Sequence, residues 1–93
     1  MALAIVYTRA MKRDAKQMQK RGKNMRKLAE MLDLLASRQN LPPQYRDHQL
    51  QGLYRDFREC HIEPYWLLIY QVFEDTLVLV ASGTGTHSDL FGK

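Results

Sequence analysis

Three histidines, His48, His61 and His87, are the residues of this chain best suited to chemistry near neutral pH, and none of them stands inside an apolar run. Histidine is the side chain whose ordinary pKa lets it both accept and donate a proton in that range. If the fold brings the three together, they can supply a general base and a general acid. The other elements of the chain then serve to position them.

The same histidines could instead bind zinc, with Cys60 as the fourth ligand beside His48, His61 and His87. Adjacent residues on a strand point to opposite faces of the sheet, so Cys60 and His61 cannot easily bind one metal ion. We therefore expect no metal and no other cofactor.

Charge is distributed unevenly along the chain. Residues 1–46 carry eleven Lys and Arg against three Asp and Glu, whereas residues 47–93 carry three against seven. Such a basic segment attracts a polyanion, although a basic helix face is also often only a solvated surface. The basic side chains assigned to a polyanion surface are Arg13, Lys16, Lys20, Arg21 and Lys23.

Length and composition predict one globular domain spanning residues 1–93, since 45% of the residues are hydrophobic and 26% are charged. The single Cys60 excludes an internal disulfide, and the first residues lack the basic leader of a secretory signal. No apolar run approaches the roughly 18 residues of a membrane span. We therefore expect a cytoplasmic protein with no membrane contact.

The first half of the chain reads as one strand followed by two helices. Leu3–Tyr7 is short and β-branched, which favours a strand. Apolar residues then recur at helical spacing from Arg9 to about Arg21, where Gly22 can end the helix. A second stripe of this kind follows Asn24, which is a suitable N-cap, and ends before residue 40.

The second half reads as an antiparallel meander of three strands. These are Leu53–Ile62, Trp66–Phe73 and Thr76–Ala81, with short polar turns between them. The helices must bury an apolar face, and the N-terminal strand must pair with the meander. The pattern predicts an α+β fold: an N-terminal strand and a two-helix hairpin packed on one face of an antiparallel sheet.

Four motifs carry a resemblance to a known family. DHQLQG, FRECHIEP, WLLIY and TGTHSDLF, in this order and spacing, resemble the YafQ branch of the RelE/ParE superfamily, the toxins of bacterial toxin–antitoxin modules. The match covers residues 42–92 well and the helical half by pattern. The resemblance implies a metal-independent, ribosome-dependent endoribonuclease that cuts messenger RNA, an antitoxin partner, and operator DNA binding through that antitoxin.

The resemblance also implies roles for single residues. RNA cleavage through the 2′-hydroxyl needs a base, an acid and cations on the phosphate. His48, His61 and His87 match the proposed catalytic positions. Residues matched to substrate contacts are Arg58, Tyr65, Trp66 and Phe91. By strand alternation, Arg58 shares the face of Cys60 rather than that of His61, and Trp66 begins a run typical of a core.

Two positions depart from the family pattern. Tyr65 stands where the family has an aspartate, and Gly83 stands where it has an arginine. A tyrosine cannot act as a carboxylate, and a glycine cannot neutralise charge on a phosphate. The alternative is therefore a toxin-fold protein with weakened or lost cleavage that binds antitoxin or RNA.

Overall fold

The computed structural model describes residues 2–92, which form a five-stranded sheet with two long helices on one face. The elements are β1 (Ala4–Tyr7), α1 (Arg9–Lys20), α2 (Met25–Ala36), β2 (His48–Gln49), β3 (Arg58–Glu63), β4 (Trp66–Phe73), β5 (Val78–Gly85) and α3 (His87–Phe91). Short 3₁₀ turns lie at Pro43–Tyr45 and Gly52–Tyr54. The predicted α+β fold is confirmed.

Both long helices begin and end where the sequence indicates. The Thr8 hydroxyl accepts a hydrogen bond from the Met11 amide at 3.0 Å and caps α1. The side chain of Asn24 caps α2 in the same way. Gly22 adopts φ +84° in the link between the helices, a left-handed conformation that favours glycine.

The strand order is β1-β5-β4-β3-β2. Strands β3, β4 and β5 pair antiparallel, as predicted for the meander. Strand β2, which was not predicted, pairs antiparallel with β3 at the edge of the sheet. Strand β1 instead lies parallel to β5, with Ala4 opposite Val78. The sheet is therefore mixed, because the two helices carry the chain from the end of β1 across one face before the meander begins.

Two strands of the meander have limits that differ from the prediction. Strand β3 begins at Arg58 and not at Leu53, because Gly52 at φ +66° starts a turn that leaves Leu53 94% exposed. Strand β5 begins at Val78 and continues beyond Ala81 to Gly85. The polar residues at its end can stay in the strand because the buried Thr84 hydroxyl accepts a hydrogen bond from Trp66 Nε1 at 2.8 Å.

The core lies between the helices and one face of the sheet. Its most deeply buried members are Met11, Met18, Cys60, Trp66, Leu68, Tyr70 and Leu79. The opposite face, here called the far face, carries the alternate residues Glu59, His61 and Leu67. Helix α3 follows β5 and packs against it. Within residues 2–92, no helix is long and apolar enough to cross a membrane.

Candidate functional site

The centre of the far face is a buried carboxylate, Glu59, whose side chain is only 4% exposed. Its two oxygens meet all three histidines of the chain. Oε2 lies 3.4 Å from Nε2 of His48 and 3.4 Å from Nε2 of His61, and Oε1 lies 3.5 Å from Nε2 of His87. Among the described residues, Oε1 has no hydrogen-bond partner. Three histidines from distant parts of the sequence therefore converge on one acid.

His48 reaches the cluster from the edge of the sheet. It pairs directly opposite Glu59 in the β2–β3 register. Its Nδ1 lies 2.6 Å from the Arg46 carbonyl oxygen, and Arg46 itself has φ +48°. The left-handed turn at Arg46 thus aims the imidazole at the far face.

His61 lies two residues after Glu59 on β3, so both side chains point to the same face. Its Nδ1 is 3.1 Å from the Pro64 carbonyl oxygen in the following turn. The side chain is 10% exposed, which places it at the floor of the cluster.

His87 is the first residue of α3, a helix of five residues that needs strong capping. Thr86 and Asp89 form a capping box, and Arg21 of α1 binds both carboxylate oxygens of Asp89 at 2.7 and 2.8 Å. These bonds hold the pKa of Asp89 well below its usual range, chiefly through Arg21. Gly85 permits this packing, because a Cβ there would come within 2.9 Å of Asp89.

The hydrogen bonds of two histidines fix which ring nitrogen is available. A backbone carbonyl can only accept, so Nδ1 of His48 and of His61 must carry a hydrogen. Their Nε2 atoms then face the cluster and are the atoms that take or give a proton there. When the imidazole of His48 or His61 is protonated, its Nε2–H can donate a hydrogen bond to the Glu59 carboxylate.

Two of the four predicted substrate contacts lie at the cluster. Tyr65, in the β3–β4 turn, is 82% exposed and lines a cleft of about 380 Å³ with Thr86 and His87. The Phe91 ring lies 5.9 Å from the His87 ring. Both aromatic side chains can therefore reach a nucleotide held near the histidines.

The other two do not lie there. Trp66 is fully buried on the helix side of the sheet, with Lys23 Nζ 5.9 Å from its ring centre, so it packs in the core. Arg58 points to the same side as Cys60, because residues two apart on a strand share a face. Both side chains lie away from the histidine cluster, and their contacts with substrate stay predictions.

Arg58 instead belongs to a network that anchors the His48 segment. The Tyr70 hydroxyl donates a short hydrogen bond to Asp47, and Arg58 contacts both partners, at 3.3 Å to Tyr70 and 3.4 Å to Asp47. Burial raises the pKa of Tyr70, so the phenol remains a donor. Asp47 precedes His48 directly, and the network therefore fixes the residue next to a histidine of the cluster.

The predicted basic surface divides into two parts. Arg13, Lys16 and Lys20 line one exposed surface of α1 together with Arg9 and Lys12. The other two predicted residues make structural ion pairs, Arg21 with Asp89 and Lys23 with Glu63 at 3.2 Å. The surface available to a polyanion is thus the exposed side of α1.

Glu59 is the residue that the sequence analysis missed. Its signal is present, because strand alternation places it on the face of His61. Cys60 faces the core, where burial raises the pKa of its thiol and keeps it protonated. In the part of the chain that the structure describes, no group of three His, Cys, Asp or Glu has the arrangement of a metal site.

Comparison with known proteins identifies the family of the chain. Residues 3–92 match the family described as the bacterial toxin of type II toxin–antitoxin system, YafQ. The mRNA interferase toxin YafQ of Escherichia coli K12 is 42% identical over 89 residues, 95% of each chain.

Two solved structures share the fold along nearly the whole chain. The E. coli DinJ-YafQ toxin–antitoxin complex matches with a TM-score of 0.88 and 40% identity, covering 99% of this chain and 100% of that one. A metal-bound toxin from Helicobacter pylori matches with a TM-score of 0.90 and 38% identity, covering 96% and 99%. The chain therefore belongs to the YafQ family of toxins from bacterial type II toxin–antitoxin systems.

Proposed function

We propose that this protein is an endoribonuclease that cuts messenger RNA on the ribosome by histidine acid–base chemistry and is held inactive by an antitoxin. The observation that carries the proposal is the convergence of three Nε2 atoms on Glu59 within 3.5 Å. Proton transfer by positioned side chains is the main requirement of RNA cleavage through the 2′-hydroxyl. The names of the relatives, mRNA interferase among them, support the same activity.

The proposed reaction needs no metal ion. A neutral imidazole takes the proton of the 2′-hydroxyl, whose oxygen then attacks the adjacent phosphorus. The bond from phosphorus to the 5′-oxygen breaks, and an imidazolium gives its proton to that leaving oxygen. The products are a 2′,3′-cyclic phosphate and a free 5′-hydroxyl, and the two histidines end in exchanged protonation states.

The exposures of the histidines support one division of roles. The His48 and His87 side chains are 49% and 55% exposed, so both can touch the substrate. His61 is 10% exposed and its ring is held between Pro64 and Glu59. We assign His48 as the base, His87 as the acid, and His61 with Glu59 as the group that stabilises charge between them. The in-line displacement suits a base and an acid on separate elements, here β2 and α3.

The partners follow from charge and from the relatives. The exposed basic surface of α1 suits ribosomal RNA or the messenger, because polyphosphates release counterions on binding Lys and Arg. The E. coli relative is found in complex with DinJ, which supports an antitoxin partner here. We propose that such a complex binds operator DNA through the antitoxin, and that the toxin acts in the cytoplasm.

The second candidate is a toxin-fold protein that binds antitoxin or RNA without cutting. The departures at Tyr65 and Gly83 favour it, since a carboxylate and a cation expected near the phosphate are missing. Glu59 favours the active enzyme, because it supplies a carboxylate in contact with every histidine. A cleavage assay separates the two.

The first prediction tests both the activity and the assigned acid. His87→Ala should lower cleavage of messenger on programmed ribosomes by about two to four decades. A messenger with sulfur in place of the bridging 5′-oxygen has a leaving group that needs no acid. It should restore His87→Ala to near the wild-type rate and leave His48→Ala slow.

Three outcomes count against the proposal. If the wild type does not cut at all, the binding protein without activity is the correct reading. If the thio substrate rescues His48→Ala and not His87→Ala, the two roles are exchanged. If both alanine variants cut the ordinary messenger as fast as the wild type, the histidines are not catalytic.

A further inference from the structure

A second cavity lies beside the histidines and is not used by the reaction described above. Its volume is about 270 Å³, below the roughly 300 Å³ at which pockets for drug-sized ligands begin. Arg13 and Asp14 of α1, Tyr54, Gly83 of β5, and Leu90 and Phe91 of α3 line it. A cavity of this size suits one small planar group.

Gly83 keeps this cavity open. Its backbone does not have a positive φ, so the conformation alone does not demand glycine. A Cβ at this position would lie 3.2 Å from Asp14 Oδ2 and 3.2 Å from Leu90 Cδ2. Any longer side chain would extend into the space between α1 and α3. The cavity therefore exists because residue 83 has no side chain to fill it.

Two carboxylates line the cavity, Asp14 and Asp89, together with Ser82. Arg21 binds both oxygens of Asp89, so Asp14 is the carboxylate left to receive a ligand. The side chain is 14% exposed, and its contacts are long, 3.3 Å from the Thr84 amide and 3.5 Å from Arg13. A carboxylate only accepts hydrogen bonds and has about four lone-pair sites on two oxygens. Asp14 thus has acceptor capacity left for a ligand that presents hydrogen-bond donors.

The remaining wall is aromatic. The Tyr54 and Phe91 rings meet edge to face, with centres 5.0 Å apart. Phe91 also contacts His87, so it separates the cavity from the histidine cluster by the width of one ring. Aromatic side chains of this kind stack on the unpaired bases of single-stranded RNA. Arg13, 76% exposed at the rim, can meet a phosphate.

We propose that this cavity binds a guanine base of the RNA substrate, next to the bond that is cut. Guanine is the base that presents two adjacent donors, N1–H and N2–H, to a single carboxylate. Adenine and cytosine place only one donor beside an acceptor on the same edge, and uracil places one donor between two acceptors. The inference rests on the proposed function for its substrate class, and it assigns Asp14 and Gly83 as specificity-determining residues.

Binding of nucleotides to the free protein tests the inference without cleavage. The probes are the 5′-monophosphates of guanosine, adenosine, cytidine and uridine, which share one phosphate, so a difference among them reports the base. Amide NMR shifts give the affinity and the location. We expect guanosine monophosphate to shift the Gly83 and Leu90 amides and to bind about tenfold more tightly than the others, since a bidentate contact discriminates by about this much.

Two variants sharpen the test. Asp14→Asn keeps the size of the side chain and an acceptor for the Thr84 amide, but it adds a donor, and should move the preference from guanine to adenine and cytosine, which pair a donor with an acceptor. Gly83→Leu should abolish binding of all four nucleotides. Its melting temperature shows whether it has folded. Asp33→Asn, on the exposed side of α2, is the matched control and should retain the preference for guanine.

Equal affinity for the four nucleotides, or shifts confined to the histidines, would overturn the inference. An unchanged preference in Asp14→Asn would do the same. The cleavage assay reports separately on the proposed function. A protein that prefers guanine but cuts no messenger has the pocket and lacks the activity, whereas one that cuts with no base preference has the activity and lacks this pocket.

Discussion

Glu59→Gln is the substitution that tests the centre of the site. The change keeps the shape of the side chain and removes its charge. At 3.4 Å, a carboxylate attracts an imidazolium by about 2–5 kcal/mol if the effective dielectric constant is about 20–40. About 1.4 kcal/mol is a factor of ten in rate. We therefore expect cleavage on programmed ribosomes to fall by about two to three decades.

The same substitution should leave the fold intact. Burying a charge costs free energy unless it is fully paired, and Oε1 of Glu59 makes no hydrogen bond within residues 2–92. A neutral amide is cheaper to bury, so the melting temperature should stay the same or rise slightly. Glu30→Gln, at an exposed position on α2, is the control and should change neither quantity.

A folded Glu59→Gln protein that cuts within about threefold of the wild-type rate would refute this reasoning, since such a factor is below 1 kcal/mol. A large loss of melting temperature would refute its second half. It would show that Glu59 stabilises the fold through contacts beyond its charge.

Two further predictions concern other parts of the molecule. Because folding lowers the pKa of Asp89, the stability that this residue contributes is complete above its unfolded pKa of about 4 and is lost as pH falls towards the folded value. Asp89→Asn should therefore lose less melting temperature than the wild type below about pH 4. An equal fall of the melting temperature in the two proteins would contradict this. Lys16→Glu should weaken binding to the ribosome and lower the slope of log affinity against log salt concentration by about one, as measured at several salt concentrations. Arg26→Glu on α2 should change neither quantity. Equal effects of the two substitutions would mean that α1 is not the contact surface.

The sequence predicts the helical layer closely and the sheet less so. Helix limits follow from side chains that act locally, such as the caps at Thr8 and Asn24. The parallel position of β1 depends on where the chain returns after two helices, which no local pattern contains. Helix α3 has five residues and is held by Arg21, 68 positions away, so periodicity cannot reveal it.

At the site too, the sequence indicates the residue types but not their positions in the tertiary fold. Histidine chemistry indicates His48, His61 and His87, but their convergence is a result of the tertiary fold. The motif indicates Trp66 as a substrate contact, whereas the tertiary fold buries it in the core. Glu59 was missed because a lone acid on a strand has no distinctive pattern, even though alternation puts it beside His61.

The unequal lengths of the strands protect the protein against aggregation. The two longest strands, β4 and β5, have eight residues each, and both lie inside the sheet. The two edges are β1, with four residues, and β2, with two. A long apolar edge would offer unpaired backbone groups to another chain, and short edges offer few. Another copy that paired with β1 or β2 would gain only a few hydrogen bonds, so association through these two strands is disfavoured.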